Sequence, residues 1–138
     1  MSGEVHGLLD TNILILRHSI EHSRLPDVVS ISAITLAELS AGPQHTGDPE
    51  ERARRVAVLQ QAESEFDPLP FTTEAARVYG RVVAAVLAVG RTPRRRFADL
   101  MIASTAIAWG LPLYTTNPQD FAGLDSLLQV VPVPRPSN

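Results

Sequence analysis

The sequence contains no cysteine, and its 12 basic residues are all arginine, so lysine is absent as well. The lack of cysteine excludes a disulfide framework, a thiol nucleophile, a zinc finger and an iron–sulfur cluster. The lack of lysine excludes a Walker A phosphate loop, a pyridoxal Schiff base and a lysine general base. No apolar run reaches the roughly 18 residues that a membrane-spanning helix requires. The chemistry that is left must be built from carboxylates, arginines, histidines and hydroxyls.

The length, composition and charge are those of one ordinary globular domain. The chain has 138 residues, of which 44% are hydrophobic. Its 15 acidic residues exceed its 12 basic ones, and the formal net charge of -3 argues against a general nucleic-acid coat. Residues 1–6 lack the basic start and the apolar run of a secretory signal, so we expect a cytoplasmic location. We expect a single domain over residues 1–131 and a proline-rich tail at 132–138.

Short apolar segments alternate along the chain with longer helical patterns. Strands are predicted at residues 5–9, 28–31, 111–114 and 127–131, with segment 66–71 as at most a short edge strand. Helices are predicted at residues 11–17, 32–39, 49–64, 72–89 and 97–109. Strands that alternate with helices form a parallel sheet that is covered by helices. The pattern therefore predicts an α/β sandwich.

Three acidic residues lie beside apolar segments, at places where a strand ends or a helix begins. Asp10 follows the first strand, Glu38 lies in the short second helix, and Asp99 opens the nearly all-apolar last helix. Taken singly, they are a helix cap, a solvated helix residue and a partner of the helix dipole. In a parallel sheet, however, functional sites lie at the carboxyl ends of the strands. Their joint occurrence therefore indicates one shared acidic cleft.

Segment 115–121, which follows the strand at 111–114, adds further oxygen atoms at the same edge. Carboxylates that converge in one cleft raise one another's pKa and destabilise the fold unless a counter-ion is present. Oxygen ligands without histidine or cysteine favour Mg²⁺ or Mn²⁺. Such an ion can activate water and stabilise a departing oxygen in phosphate chemistry. The sequence thus predicts a divalent metal site that acts on a phosphate.

Four segments resemble a known family in their order and spacing. They are LLDTNIL at 8–14, ITLAELSAG at 34–42, FADLMIA at 97–103 and YTTNPQDF at 114–121. Together they closely resemble the PIN-domain ribonucleases, and most of all the VapC toxins of bacterial toxin–antitoxin pairs. The resemblance covers nearly the whole chain. One D-T-N triplet would be weak evidence, whereas four motifs in sequence are strong.

The resemblance implies a PIN-like three-layer sandwich and a Mg²⁺- or Mn²⁺-dependent endoribonuclease. Carried over residue by residue, the acidic positions that hold metal are Asp10, Glu38 and Asp99. The fourth catalytic position, which is Asp in many relatives, is Asn117 here, and a neutral amide binds Mg²⁺ less well. Supporting residues of the same motifs are Thr11, Thr116 and Asp120.

The family's chemistry is hydrolysis without a covalent enzyme intermediate. The resemblance implies that Glu38 either binds the metal or accepts a proton from the attacking water. It also implies that the water attacks in line and that the products carry a 5′-phosphate and a 3′-hydroxyl. The implied partners are an RNA substrate, a small VapB-like antitoxin and a second copy of the chain. A housekeeping PIN nuclease and a catalytically silent PIN-like interaction module remain open as alternatives.

A basic connector precedes the last helix and contains Arg91, Arg94, Arg95 and Arg96. One interpretation is a phosphate clamp for RNA, because arginine binds phosphate through two parallel hydrogen bonds. A solvated charged loop and a surface for an acidic partner are the other two. Cations near a helix N-terminus are disfavoured by the helix dipole, and this local conflict favours a functional role.

Overall fold

The computed structural model describes residues 3–136 and contains one four-stranded sheet. Its strands are β1 (His6–Leu9), β2 (Val28–Ser30), β3 (Leu113–Thr115) and β4 (Val130–Pro132). The spatial order is β2-β1-β3-β4, and every neighbouring pair is parallel. All four carboxyl ends therefore lie at the same edge of the sheet.

Five α-helices cover the sheet, and their ends follow from capping residues. They are α1 (Thr11–Leu16), α2 (Ala33–Ala41), α3 (Pro49–Glu65), α4 (Thr73–Ala88) and α5 (Phe97–Trp109). Asp48 and Thr72 cap α3 and α4 by accepting backbone N–H groups of the first turn. Gly110 ends α5 in the left-handed conformation at φ 69°, which glycine adopts without a steric penalty.

The hydrophobic core is divided by the sheet into two layers. Successive side chains of a strand point to opposite faces. Accordingly, Leu8 and Leu113 pack with α4 and α5, while Leu9 and Tyr114 pack with α1, α2 and α3. The three leucines are fully buried and Tyr114 is 8% exposed, so both layers exclude solvent. The predicted three-layer sandwich is confirmed.

Most predicted elements are confirmed, and the differences lie near the ends of strands. The last strand was predicted at 127–131 but is Val130–Pro132. Leu127 instead lies in a turn, and Leu128 follows it outside any strand. Both pack against the core, and Leu128 is only 6% exposed, so their apolar character reflects burial without strand pairing. The sheet extends into the predicted tail, because Val133 is buried and its N–H donates to the Thr115 carbonyl at 2.8 Å.

Segment 66–71 forms a single parallel bridge between Leu69 and Ser32. The two flanking prolines, Pro68 and Pro70, limit its pairing, in line with the prediction of at most a short edge strand. The basic connector and segment 115–121 contain short 3₁₀ turns, Pro93–Arg96 and Pro118–Phe121. Within residues 3–136, no helix is long and apolar enough to cross a membrane.

Gly7 in the central strand β1 allows the ring of Tyr114 to lie against the backbone. A Cβ at this position would lie 2.5 Å from Tyr114 Cε1 and 3.0 Å from Pro26 Cγ. Gly7→Ala should therefore lower the free energy of unfolding by about 1–3 kcal/mol through overpacking. Urea unfolding measures the change.

Gly80→Ala in α4 is the matched control, because no atom lies within 4 Å of the added Cβ. This variant should be up to about 1 kcal/mol more stable, since alanine is the better helix former. Equal stability of Gly7→Ala and the wild type would contradict the close approach of the Tyr114 ring.

Candidate active site

Asp10 lies at the carboxyl end of β1 and is the N-cap of α1. Its Oδ1 accepts the backbone N–H of Thr11 at 2.8 Å, and its Oδ2 accepts the hydroxyl of Thr115 at 2.8 Å. The residue is only 5% exposed. Burial raises the pKa of Asp10 against the effect of those two hydrogen bonds, and the charges of Glu38 and Asp120 raise it further. Asp10 is thus both the helix cap and a buried carboxylate close to other acids.

Thr115, the last residue of β3, connects Asp10 with the turn that follows. Its hydroxyl donates to Asp10 Oδ2 and accepts the backbone N–H of Asn117 at 2.9 Å. The Asn117 side chain in turn donates through Nδ2 to the hydroxyl of Thr116 at 3.4 Å. Because Thr115 is fully buried, this small network holds the carboxylate of Asp10 in one orientation.

Glu38 reaches the site from the exposed side of α2 and is held by a chain of hydroxyl groups. Thr11 Oγ1 donates to Glu38 Oε1 at 2.5 Å and lies 3.0 Å from Thr35 Oγ1. The carboxylate can only accept, so the single Thr11 proton goes to Glu38 and Thr35 donates to Thr11. Ser32, the N-cap of α2, donates to Thr35 at 3.4 Å. These hydroxyl groups orient Glu38 Oε1 and form no bond to Glu38 Oε2.

Asp99 lies in the first turn of α5 and is half-buried without a hydrogen bond or ion pair in the described part of the chain. The pKa of Asp99 is raised to about 6, first by burial and then by the charges of Asp10, Asp120 and Glu38, while Arg96 opposes the shift. Four carboxylates from four different segments therefore share one electrostatic field, as the sequence predicted for three of them.

Asp120 is the fourth of these acids, and the arginine connector holds the turn that carries it. Arg96 Nη1 donates to Asp120 Oδ1 at 3.1 Å and lies 3.4 Å from the Asp120 carbonyl. Arg91 donates from Nη1 to the carbonyl of Gln119. The contacts join the connector before α5 to the turn after β3, and residues of both segments line one cleft.

The cleft has a volume of about 550 Å³ and opens beside the carboxylates. Its lining residues are Gly90, Arg91, Thr92, Arg95, Arg96, Asp99 and Asp120. Of the four arginines predicted to bind RNA phosphate, three therefore line the cleft, and Arg94 does not. Acidic and basic side chains are thus adjacent, an arrangement that can hold a metal-bound phosphate.

The donor chemistry of the site fits Mg²⁺ or Mn²⁺. All candidate ligands are oxygens, and the half-buried carboxylate of Asp99 lacks a donor. Within residues 3–136, however, no group of three or more acidic or histidine side chains is placed to hold an ion by itself. The predicted ligands Asp10, Glu38 and Asp99 influence one another electrostatically, and one carboxylate oxygen of Glu38 is bonded to Thr11. Mg²⁺ commonly uses one or two carboxylates and keeps several waters, so the set remains suitable.

Three hydroxyl residues that support the site were not identified from the sequence. They are Ser32, Thr35 and Thr115, all fully buried. Of the Thr115–Thr116 pair, the motif predicts a supporting role for Thr116, whereas Thr115 is the residue that bonds to Asp10. The alternation of strand β3 could have revealed this, because Leu113 and Thr115 point to one face and Tyr114 to the other. Thr11, which was named, does contact Glu38.

The raised pKa of Asp99 predicts how its replacement changes stability. The pKa rises from 3.8 to about 6 on folding, so the folded chain binds more protons between these values and loses stability as the pH increases. Asp99→Asn removes this loss. In EDTA, the variant should melt a few degrees higher than the wild type above pH 6 and at the same temperature below pH 4.

Asp125→Asn, at an exposed residue of a turn, is the matched control for the change of charge and should not reproduce this pH dependence. A lower melting temperature of Asp99→Asn at both pH values would show that Asp99 instead stabilises the N-terminus of α5.

Comparison with known proteins identifies the family. Residues 7–127 match the PIN domain. Ribonuclease VapC5 of Mycobacterium tuberculosis is 35% identical over 127 residues, which are 90% of this chain and 91% of that protein. Ribonuclease VapC of Rickettsia bellii is 29% identical over 92% of this chain and 96% of that protein.

Solved structures agree with these sequence relatives. The crystal structure of VapBC-5, a member of the VapBC family of toxin–antitoxin systems from Mycobacterium tuberculosis, matches with a TM-score of 0.80 and 32% identity over 95% of this chain and 99% of that chain. DNA-bound VapBC from Salmonella typhimurium matches with a TM-score of 0.67 and 30% identity over 91% and 96% of the two chains. The parallel sheet, the order of the motifs and these similarities together show that the chain belongs to the PIN-domain family, among the VapC proteins.

Proposed function

We propose that this chain is a Mg²⁺- or Mn²⁺-dependent endoribonuclease and the toxin of a type II toxin–antitoxin pair. The observation that carries the proposal is the shared field of Asp10, Glu38, Asp99 and Asp120 beside an arginine-lined cleft. Carboxylates supply a cation site, and arginines supply a phosphate site. The similarity to proteins named ribonuclease VapC supports RNA as the substrate.

In this proposal, the surroundings of each carboxylate decide whether it binds the ion or accepts a proton. Asp10 and Asp99 would hold the ion, because Asp10 is fixed by Thr115 and Asp99 has no competing donor. When bound, the ion lowers the pKa of water and stabilises charge on the scissile phosphate. Asn117 is placed at the same edge by its backbone hydrogen bond to Thr115 and can orient water through its amide.

Glu38 is the group best placed to accept a proton. It is exposed, so water and substrate can reach it, and the Thr11 hydroxyl occupies Oε1 only. Oε2 can then take the proton of the attacking water as a general base. The hydroxyl chain from Ser32 restricts the rotation of the carboxylate, which keeps this oxygen in place during the reaction.

Two protein partners belong to the same proposal. The structural relatives are complexes of VapBC toxin–antitoxin systems, which supports a small VapB-like antitoxin for this chain. The second is another copy of the chain, because α4 exposes Ala84, Leu87 and Ala88, with Leu87 57% exposed. Light scattering on the isolated chain should give twice the monomer mass of 15.0 kDa if the homodimer forms, and the monomer mass would contradict it.

Cleavage of total cellular RNA by the purified chain tests the proposal. With Mg²⁺ or Mn²⁺, discrete fragments should appear, and EDTA should abolish them. Asp99→Asn should lower the rate by at least ~100-fold, because positioned electrostatic and acid–base groups contribute about this much. Asp125→Asn should retain the wild-type rate, and the product of a neighbouring small gene should suppress cleavage.

The opposite result has a defined meaning. If the folded chain, free of any bound partner, cleaves no RNA with either metal, the proposal fails. The four motifs would then reflect inheritance of the fold by a silent interaction module.

A further inference from the structure

The arginines before α5 differ in direction because of their local backbone. Pro93–Arg96 is a 3₁₀ turn. Such a turn has three residues per revolution, so consecutive side chains point about 120° apart. Arg94, Arg95 and Arg96 therefore cannot all face the same cleft, and a description of the segment as one uniform basic patch does not fit its geometry.

Two arginines of the connector already form hydrogen bonds with the turn after β3. Arg96 donates to the carboxylate of Asp120 at 3.1 Å, and its side chain is 27% exposed. Arg91 donates to the carbonyl of Gln119. Both use part of their donor capacity to hold the turn that carries Asn117 and Asp120, so a substrate would have to share or displace these bonds.

Arg95 differs from its neighbours on both sides. It lines the cleft together with Asp99 and Asp120, whereas Arg94 lies outside it. Among the described residues, Arg95 forms no hydrogen bond or ion pair, and its side chain is exposed. All five N–H donors of its guanidinium are therefore available to a ligand. Arg95 therefore differs from Arg94 in the direction of its side chain and not in its charge.

We infer that Arg95 is the residue of this segment that binds an RNA backbone phosphate in the cleft, next to the carboxylates. The inference rests on the proposed function and assigns the substrate contact to one residue. A guanidinium with free donors binds a phosphodiester through two parallel hydrogen bonds, which makes the contact independent of the base sequence. Arg95 thus lies where it can bind the strand close to the bond that is cut.

RNA binding by the full chain tests this assignment. Fluorescein-labelled single-stranded RNA of mixed sequence is titrated with the inactive Asp99→Asn protein in EDTA at several NaCl concentrations, and anisotropy gives the Kd. Adding Arg95→Gln should weaken binding about tenfold at low salt. It should also reduce the magnitude of the slope of log association constant against log salt concentration by about 0.7, which is the contribution of one single-strand phosphate.

Matched variants separate a specific contact from general charge. Arg94→Gln and Arg77→Gln each remove one positive charge, and neither residue lines the cleft. Both should keep the salt slope of the parent protein. Arg95→Lys should restore the slope, because it restores the charge, while its affinity stays below that of arginine.

Two outcomes would overturn the inference, and they are distinguishable. If Arg94→Gln lowers the slope as much as Arg95→Gln, or if Arg95→Gln leaves it unchanged while the wild-type chain still cleaves RNA, the assignment to Arg95 is wrong and the proposed function stands. If the chain neither binds nor cleaves RNA, the proposed function fails and the inference fails with it.

Discussion

Repulsion among carboxylates at the carboxyl edge of the sheet is the constraint on which the rest of this site depends. Asp10, Glu38, Asp99 and Asp120 come from four segments, and their mutual effect contributes to raising the pKa of Asp99 to about 6. A fold under selection for stability alone would disperse such charges. The arrangement fits the proposed site, which would gain stability when a cation and a phosphate bind.

The surrounding structure holds these charges in place without neutralising most of them. Asp10 is bonded by Thr115, and Glu38 by Thr11, so neutral hydroxyl groups orient the two carboxylates and leave their charge intact. The only ion pair to the four acids in residues 3–136 is that of Arg96 with Asp120. The positive charges of the connector remain beside the carboxylates, where a phosphate can bridge the two.

The sequence was sufficient for the fold class and for the acidic residues, because both depend on local patterns. An apolar strand such as residues 5–9, which Asp10 follows, and a helix that begins at a cap can each be recognised from its own segment. The buried hydroxyl groups of Ser32 and Thr35 could not be identified in this way, since their role depends on contacts between α1 and α2. Which of Arg94, Arg95 and Arg96 line the cleft likewise depends on the direction of side chains in a 3₁₀ turn.

Calorimetric titration of the metal-free chain with Mn²⁺ tests whether the four carboxylates form a cation site, and it needs neither RNA nor an antitoxin. Saturable binding is expected for the wild type and for Asp125→Asn, and it should be lost in Asp99→Asn, in which a neutral amide replaces the half-buried carboxylate. Equal Mn²⁺ affinity of the Asp99→Asn and Asp125→Asn proteins would contradict this expectation, because the gathered carboxylates would then not be the cation site.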